Sequence, residues 1–435
     1  EMTDLAIGFA GCSVLLGLIL LGAPIMLALT GVAFGAILLM NGFIPSISLM
    51  GTVIYPVVSS FHFSAIPMFL LMGFFAIRAG IGDDLFDACT KWFGRLPGGL
   101  ALASTGATAA FGAASGSSVG TATLFTKLAL PEMVRRGYDR GFSAASIAIA
   151  GTLAVLIPPS ALIVVYGILT NAPIGRLLIA GIVPGVIFAS LLALTILAVA
   201  WLQPHKAPPS QETFSLRERL YSLRMVGPLA LVIFIMLGGL YAGVFTPTES
   251  GAVGAFATFI MALVRQGPFG VRLGYSLIET VKLTAMIFAI IIGGLIFARF
   301  LALSGVSTFT QNLLVNGGLD PWAIVAIVTL VYLLLGMLMD APSLLAISLP
   351  ITYPVMMSLG YHPVWFGVYV IVLAEIGAVT PPIGLNCFVV KGAAGNLVKL
   401  EQIFVGLIPF FFAAVAMLGL LLAFPELVLW LPSKM

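Results

Sequence analysis

The sequence predicts an all-α polytopic membrane protein made of two inverted-topology repeats, each holding a re-entrant helical hairpin and a broken helix. Three observations predict it. The 435 residues are 61% hydrophobic and only 8% charged, with a mean hydropathy of +1.18. A soluble domain carries roughly 25% charged residues, so this chain belongs in lipid. Gly and Pro positions recur when the sequence is laid on itself at an offset of 223. Finally, the basic residues sort into loops in a pattern that runs the two halves in opposite senses.

The first repeat is organised around Ala113-Ala114-Ser115-Gly116-Ser117-Ser118-Val119-Gly120-Thr121, inside an apolar run from Leu100 to Leu130. In hydrocarbon an opened backbone leaves amides and carbonyls unpaired, unless protein or a polar cavity receives them. The stretch therefore reads as the tip of a hairpin over about 98–131, with oxygens and free amides at membrane depth. Alone, it fits small-residue helix packing equally well, with the hydroxyls bonded back to their own helix. A second copy decides between them.

At about 20 residues per span there is room for roughly ten to twelve membrane segments. Leu5 to Leu21 has no basic leader and is expected to be a span, not a cleaved signal; Glu1 before Met2 suggests a cut or an added residue. Pro24 to Met40 and Ser64 to Ile77 are the next spans. Phe43 to His62, interrupted by Pro45 and Pro56, reads as a short interfacial or partial helix. Ile81 to Phe93 mixes Asp83, Asp84, Asp87 and Lys91 with Leu85, Phe86 and Trp92, the pattern of an amphipathic arm at the interface. After the hairpin, Pro131 to Arg140 is a charged return. A broken helix over 143–170 contains Ile157-Pro158-Pro159-Ser160, and Gly175 to Leu202 is a further span. The first repeat thus covers residues 1–203, and a polar, Pro-rich cytoplasmic linker covers 204–225. The second repeat covers 226–435, with its arm at 306–315, its hairpin at about 321–358 and its broken helix at 362–391.

At the 223-residue offset Gly31 meets Gly254, Gly82 meets Gly305, Pro131 meets Pro354, Gly137 meets Gly360, and Pro158-Pro159 meets Pro381-Pro382. Near the end the offset drifts by two, and Pro184 meets Pro409. Gly and Pro fix backbone breaks, so agreement there implies one architecture used twice. The register sets Ser117 opposite Asp340, in Met339-Asp340-Ala341-Pro342-Ser343. Lys and Arg are absent from 1–77 and 301–390. They gather at Arg78/Lys91/Arg95, Arg135/Arg136/Arg140, Lys206/Arg217/Arg219/Arg224, Arg265/Arg272 and Lys391/Lys399. With all five groups in the cytoplasm, the first hairpin dips in from inside and the second from outside, and a site is expected at the midplane between the halves.

Each repeat then offers two facing breaks: Ser115 to Thr121 with Ile157 to Ser160, and Asp340 to Ser343 with Thr380-Pro381-Pro382. Tandem prolines remove two donors and leave carbonyls free. Carbonyls, hydroxyls and one carboxylate suit a small hard cation, and sodium is the natural candidate, with at least one ion in each repeat. One Pro-Pro pair alone is compatible with a packing kink; four breaks in symmetric register are not explained that way. Asp340 at a tip reads as functional. Glu375 is either a relay or ligand, or the cap of a hydrogen-bond network between helices. Lys282 and Arg299 read as snorkelling side chains, although Arg299 is also placed to meet an anion. Cys12, Cys89 and Cys387, like His62, His205 and His362, lack metal-ligand spacing, so zinc, haem and organic cofactors are not expected. No convergent catalytic set or loop domain suggests an enzyme. The net charge of +3 is a matter of loop position and implies no nucleic acid.

Gly-Ser-Ser-Val at 116–119, Gly137-Tyr138 with Asp139-Arg140, Gly151-Thr152 leading to the 157–160 break, Phe245-Thr246-Pro247-Thr248-Glu249, and Thr380-Pro381-Pro382-Ile383-Gly384-Leu385-Asn386 stand in this order. Together they resemble the large membrane subunit of the tripartite ATP-independent periplasmic (TRAP) transporters, and the resemblance covers nearly the whole chain. It implies sodium-driven import of an organic anion (a C4-dicarboxylate, sialic acid or a related carboxylate) across the bacterial inner membrane, by an elevator of the ion-transporter superfamily. It also implies a small four-helix membrane subunit and a soluble periplasmic protein that delivers substrate. Carried onto this sequence, it implies sodium at Ser115, Ser117, Ser118 and Pro158, and at Asp340, Thr380 and Pro381. Substrate would meet Ser118, Gly120, Thr121, Ser160, Ser343 and Pro382. Gly120 departs from the family, whose members often carry an acidic residue or alanine there. The competing readings are a stand-alone sodium/dicarboxylate symporter and, more remotely, an ion channel.

The opposed hairpins make a labelling prediction. In a cysteine-free background, His362→Cys is expected to react with an impermeant thiol reagent on intact cells, and Arg136→Cys only after permeabilisation. Equal reaction of both from outside contradicts the inverted arrangement.

Overall fold

Helix boundaries fall where Gly, Pro and capping side chains place them. The computed structural model describes residues 2–209, 214–270 and 273–435; Glu1, linker residues 210–213, Val271 and Arg272 lie outside the described residues. The first quarter comprises α1 (Met2–Leu20), α2 (Ile25–Asn41), α3 (Phe43–Ser59) and α4 (Ala65–Arg78). The stretch expected to be a partial helix is instead one continuous helix of 17 residues, α3. Pro45 sits in its first turn, where amides have no helical partner anyway, and Pro56 falls in its last turn.

The amphipathic arm is α5 (Ile81–Phe93), which buries Ile81, Gly82, Leu85 and Ala88. Outside, Asp87 and Lys91 pair at 2.6 Å. The hairpin follows as α6 (Gly99–Ser115) and α7 (Ser118–Arg135), then α8 (Arg140–Leu156) and α9 (Ala161–Thr170), bent by 49° at the proline break. The expected span at 175–202 divides at Gly181 into α10 (Ile174–Ala180) and α11 (Ile182–Leu202). A capping box, Ser215 Oγ accepting from the Glu218 amide and Glu218 accepting from the Ser215 amide, starts α12 (Leu216–Tyr241). The last ten residues of the expected linker are therefore helical.

The second half runs through α13 (Pro247–Gly270), kinked at Gly267, α14 (Leu273–Leu303) and α15 (Val306–Gln311). The second arm continues past α15 as a π turn at Asn312–Asn316. Then come α16 (Pro321–Gly336), α17 (Ala341–Ser358), α18 (Pro363–Gly377), α19 (Leu385–Ala394), α20 (Leu400–Ala423) and α21 (Glu426–Leu429). Eight helices among the described residues are long and apolar enough to cross a membrane, or up to nine if the bent α8–α9 pair counts as one.

The helices α8 and α18 form the centre. Every residue from Gly141 to Leu156 is buried, as is every residue from Val364 to Gly377. The hairpin helices α6 and α7 pack on α8, α16 packs on α18, and α19 packs on α7 and α8. Outside this group α4 packs on α13 and α2 on α14. Much of α1, α3 and α12 is left exposed and apolar, which lipid satisfies.

Several cross-chain contacts bring the basic groups together. Arg265 pairs with Asp84 and donates to the carbonyls of Ala79 and Met225, both at 3.1 Å. The Trp92 indole donates to the Arg219 carbonyl at 3.3 Å, and the Asp139 amide to the Lys206 carbonyl at 2.9 Å. Arg176, an exception to the loop pattern, instead lies near His362.

Two close approaches set the central packing. A Cβ on Gly112 would sit 2.5 Å from the Ala154 Cα, holding α6 against α8. A Cβ on Gly377 would sit 2.7 Å from the Gly336 Cα, holding α18 against α16. Neither backbone can yield cheaply in a packed interior. Gly112→Ala and Gly377→Ala are each expected to lower stability by about 1–3 kcal/mol through overpacking. Thermal unfolding of the purified protein measures this, with Gly17→Ala and Gly35→Ala, which meet nothing within 4 Å, as unaffected controls.

Candidate functional site: two hairpin tips and two helix breaks

The first tip is narrower than the sequence suggests. Ser115 ends α6, and Gly116 closes it at φ 58, a left-handed position suited to a residue without Cβ. Ser117 is extended, and its hydroxyl oxygen accepts the Gly120 amide at 3.2 Å, capping α7. Ser118, Gly120 and Thr121 therefore lie in the first turn of α7, not in an open loop. Ser115 Oγ and Thr121 Oγ1 share a 2.6 Å hydrogen bond, and the Ser117 amide reaches Ser115 Oγ at 3.5 Å. A Cβ at Gly120 would stand 3.3 Å from the capping Ser117 Oγ, a tight contact.

The first break faces this tip. The helix α8 stops at Leu156, Ser160 caps α9 by accepting the Ile163 amide at 3.3 Å, and the Pro158–Pro159 bond between them is cis. A Cβ built on Gly116 would lie 3.0 Å from the Pro159 carbonyl oxygen and 3.5 Å from the Ser160 Cα. Pro158, Pro159 and Ser160 are all buried. Gly151 lets α7 close on α8, for a Cβ there would be 3.2 Å from the Ser118 carbonyl oxygen.

The second tip keeps the register. Asp340 occupies the position before α17 that Ser117 occupies before α7, and both helices have the same length. Unlike Ser117, Asp340 makes no side-chain cap bond. Pro342, two residues on, is in the first turn, and the Ser343 hydroxyl is buried with no partner. At the second break Thr380 Oγ1 donates to the Ile376 carbonyl at 2.6 Å, and Pro381–Pro382 is again cis. Pro381, Pro382 and Ile383 are exposed, in contrast to the buried first break. Among the described residues no side-chain hydrogen bond joins Asp340 to Thr380.

A link between the halves escaped the sequence. Ser118 Oγ donates to Glu375 Oε1 at 3.4 Å, across 257 positions. Glu375 is only 4% exposed and its Oε2 has no partner. The Asn386 amide donates to the Ala378 carbonyl at 2.9 Å, which seats Asn386 by the same end of α18. Its side chain is fully buried and both polar atoms lack partners. The signal for it was a lone Asn in the apolar α19, at the end of the Thr380–Asn386 motif. Gly336 and Gly377 gave none, being glycines in apolar runs. Lys282 is exposed and pairs with Glu279 at 2.8 Å, and Arg299 is exposed on α14. Among the described residues no group of three His, Cys, Asp or Glu could hold a metal ion. The donors gathered at the breaks are hydroxyls, carbonyls and single carboxylates, the set that suits a hard monovalent cation.

Residues 12–427 match the family model of the tripartite ATP-independent periplasmic transporter, DctM component. The chain belongs to this family. This TRAP large permease is 38% identical over 332 residues to the C4-dicarboxylate TRAP transporter large permease protein DctM of Pseudomonas aeruginosa, covering 76% of this chain and 77% of that one. It is 32% identical to the protein of the same name from Rhodobacter capsulatus, over 96% and 97% of the two chains. It is 27% identical to the sialic acid TRAP transporter large permease protein SiaM of Vibrio cholerae, over 96% of each. The Alcanivorax borkumensis YdaH transporter, known from its crystal structure, shares the fold with a TM-score of 0.61 at 13% identity, over 89% of this permease and 90% of that chain.

The hydroxyl stitch at the first tip is testable. Thr121→Val leaves the buried Ser115 hydroxyl short of its partner and is expected to cost about 1–3 kcal/mol. Thr123→Val, whose own-helix bond is exposed, should leave thermal unfolding of the purified permease nearly unchanged.

Proposed function

We propose that this TRAP large permease imports a small organic anion across the bacterial inner membrane, driven by sodium and working by elevator alternating access. The observation that carries this reading is the pairing of the first hairpin tip with the first proline break. Gly116 stands against Pro159 and Ser160, with Ser115, Ser117 and Ser118 around it. On this reading one sodium ion takes oxygens from Ser115, Ser117, Ser118 and Pro158. A second takes them from Asp340, Thr380 and Pro381, where an uncapped carboxylate supplies charge. The anion meets Ser118, Gly120, Thr121, Ser160, Ser343 and Pro382, beside bound cations that offset its charge. Relatives named for C4-dicarboxylates and for sialic acid support a carboxylate substrate.

Two observations support the rest. Helix ends 223 residues apart agree at α7 and α17. Trp92 and Asp139, beside the two basic groups that flank the first hairpin, donate to carbonyls of the linker's basic group, at Arg219 and Lys206, so these three basic loops lie together. Basic loops gathered on one face are what the cytoplasmic placement of those groups expects. An apolar cavity of about 920 Å³ separates α6 and α11 from α12, a seam along which a hairpin-bearing part slides past a fixed one. The fixed part is α1 to α4 with α12 to α14, and the small four-helix subunit extends it. The periplasmic binding protein hands over the substrate, as the family's three-part name implies.

Ser117→Ala and Asp340→Asn each remove one ligand oxygen or charge. Each is expected to cost on the order of 1–3 kcal/mol, or roughly tenfold to a hundredfold in sodium affinity, with expression retained. Sodium activation curves for uptake into proteoliposomes measure it, and unchanged curves in both variants would defeat the sodium assignment. The same vesicles test the assembly. Uptake is expected only with a sodium gradient, the small subunit and the binding protein present. Full uptake of free substrate by this chain alone would favour a stand-alone symporter, and uptake without ion coupling a channel.

A further inference from the structure

We propose that Glu375, in the second half of the chain, is a positioning residue for the cation site in the first half. The inference rests on the sodium reading of that site. Glu375 lies in α18, which carries no other charged residue from Pro363 to Gly377. It belongs to none of the ion pairs found among the described residues. Among the described residues its carboxylate takes one hydrogen bond, from the Ser118 hydroxyl at 3.4 Å, and its second oxygen has no partner.

A serine hydroxyl has one proton and two lone pairs. While that proton points at Glu375, the Ser118 oxygen can present only lone pairs to the tip, which is what a cation needs. The carboxylate also draws the O–H bond toward itself and makes the oxygen a better donor to a metal, as partners behind ligating groups do elsewhere. In return, a cation held by Ser118 supplies the counter-charge that the buried carboxylate otherwise lacks. The bond joins α7 to the end of α18, three residues before the Ala378 carbonyl that holds Asn386. Occupation of the first site thereby depends on how the second broken helix is set.

The test measures sodium activation of uptake by the complete three-part system. It also measures thermal unfolding of the purified permease in sodium and in choline. Glu375→Gln, nearly isosteric and neutral, is expected to raise half-saturating sodium at least tenfold with little loss of maximal rate. In choline it should unfold near the wild-type temperature, because the amide keeps an acceptor oxygen for the Ser118 hydroxyl, and it should lose most of the sodium-dependent stabilisation. A merely structural glutamate would instead lower stability equally in both salts. Ser118→Ala should give the same sodium shift, and the double variant should be no worse than either single one. A Glu375→Gln curve identical to wild type beside a shifted Ser118→Ala curve overturns the positioning role and leaves the site standing. No shift in either variant removes Ser118 from the first site, and this role with it. Should the glutamine variant fail to assemble, Glu375→Asp, which withdraws the carboxylate by one methylene, should show a smaller shift of the same kind; a wild-type sodium curve in that variant overturns the proposal.

Discussion

The constraint on which this architecture depends is that a backbone polar group in hydrocarbon must find its partner within the protein. A chain this apolar is safest as uninterrupted helix, yet it is interrupted twice in each half, next to its most buried helices. Each interruption is tolerated because something local answers the freed groups. Ser117 and Ser160 cap α7 and α9, and Gly116 ends α6 without a Cβ to obstruct it. Those residues are near the minimum chemistry that allows a turn at that depth, and the same hydroxyls and carbonyls are what a hard cation binds. The requirement of folding and the requirement of the proposed function select the same side chains.

A second requirement is closeness. Hairpin arms come closest to the central helices where side chains are absent, at Gly112 against Ala154, at Gly151 against Ser118 and at Gly336 against Gly377. Without a hydrophobic force between helices in lipid, association relies on such close packing and on polar contacts. The glycines therefore do more than permit turns. They set how near each tip lies to its break, and hence whether oxygens from two segments converge on one point.

Much of this was legible in the sequence, for identifiable reasons. The bounds expected at about 321 and 358 came from Pro321 and the Gly360-Tyr361 turn, and α16 starts at Pro321 while α17 ends at Ser358. The matching positions of Ser117 and Asp340 followed from Gly and Pro alone, since those residues constrain the backbone whatever surrounds them. Where packing outweighs local signals, the reading was less accurate. Pro45 and Pro56 suggested a partial helix, but both fall in terminal turns where proline is tolerated. The capping box at Ser215 extends α12 back into what looked like linker. The Ser118–Glu375 contact had no local signature, because it joins residues that only the packing of α18 and α19 around the first hairpin brings together.

The two tips, 223 residues apart, share a helix start and a helix length but not a chemistry. At the first tip every hydroxyl already serves the fold. Ser117 caps, Ser115 binds Thr121, Ser118 reaches Glu375, and the facing prolines are buried. At the second, Asp340 caps nothing, Ser343 has no partner, and Pro381, Pro382 and Ile383 are exposed. A site whose donors are already held in place gives up little further freedom when it binds, whereas exposed and unpartnered groups must be ordered by what they bind. On the sodium reading, the first half is the preorganised one, and the second is where a cation and an anion arriving together would do most of the ordering. Since α18 ends at the second break, carries the partner of Ser118 and packs on α8 and α9, ordering at that end of the helix has a direct route to the other half of the protein.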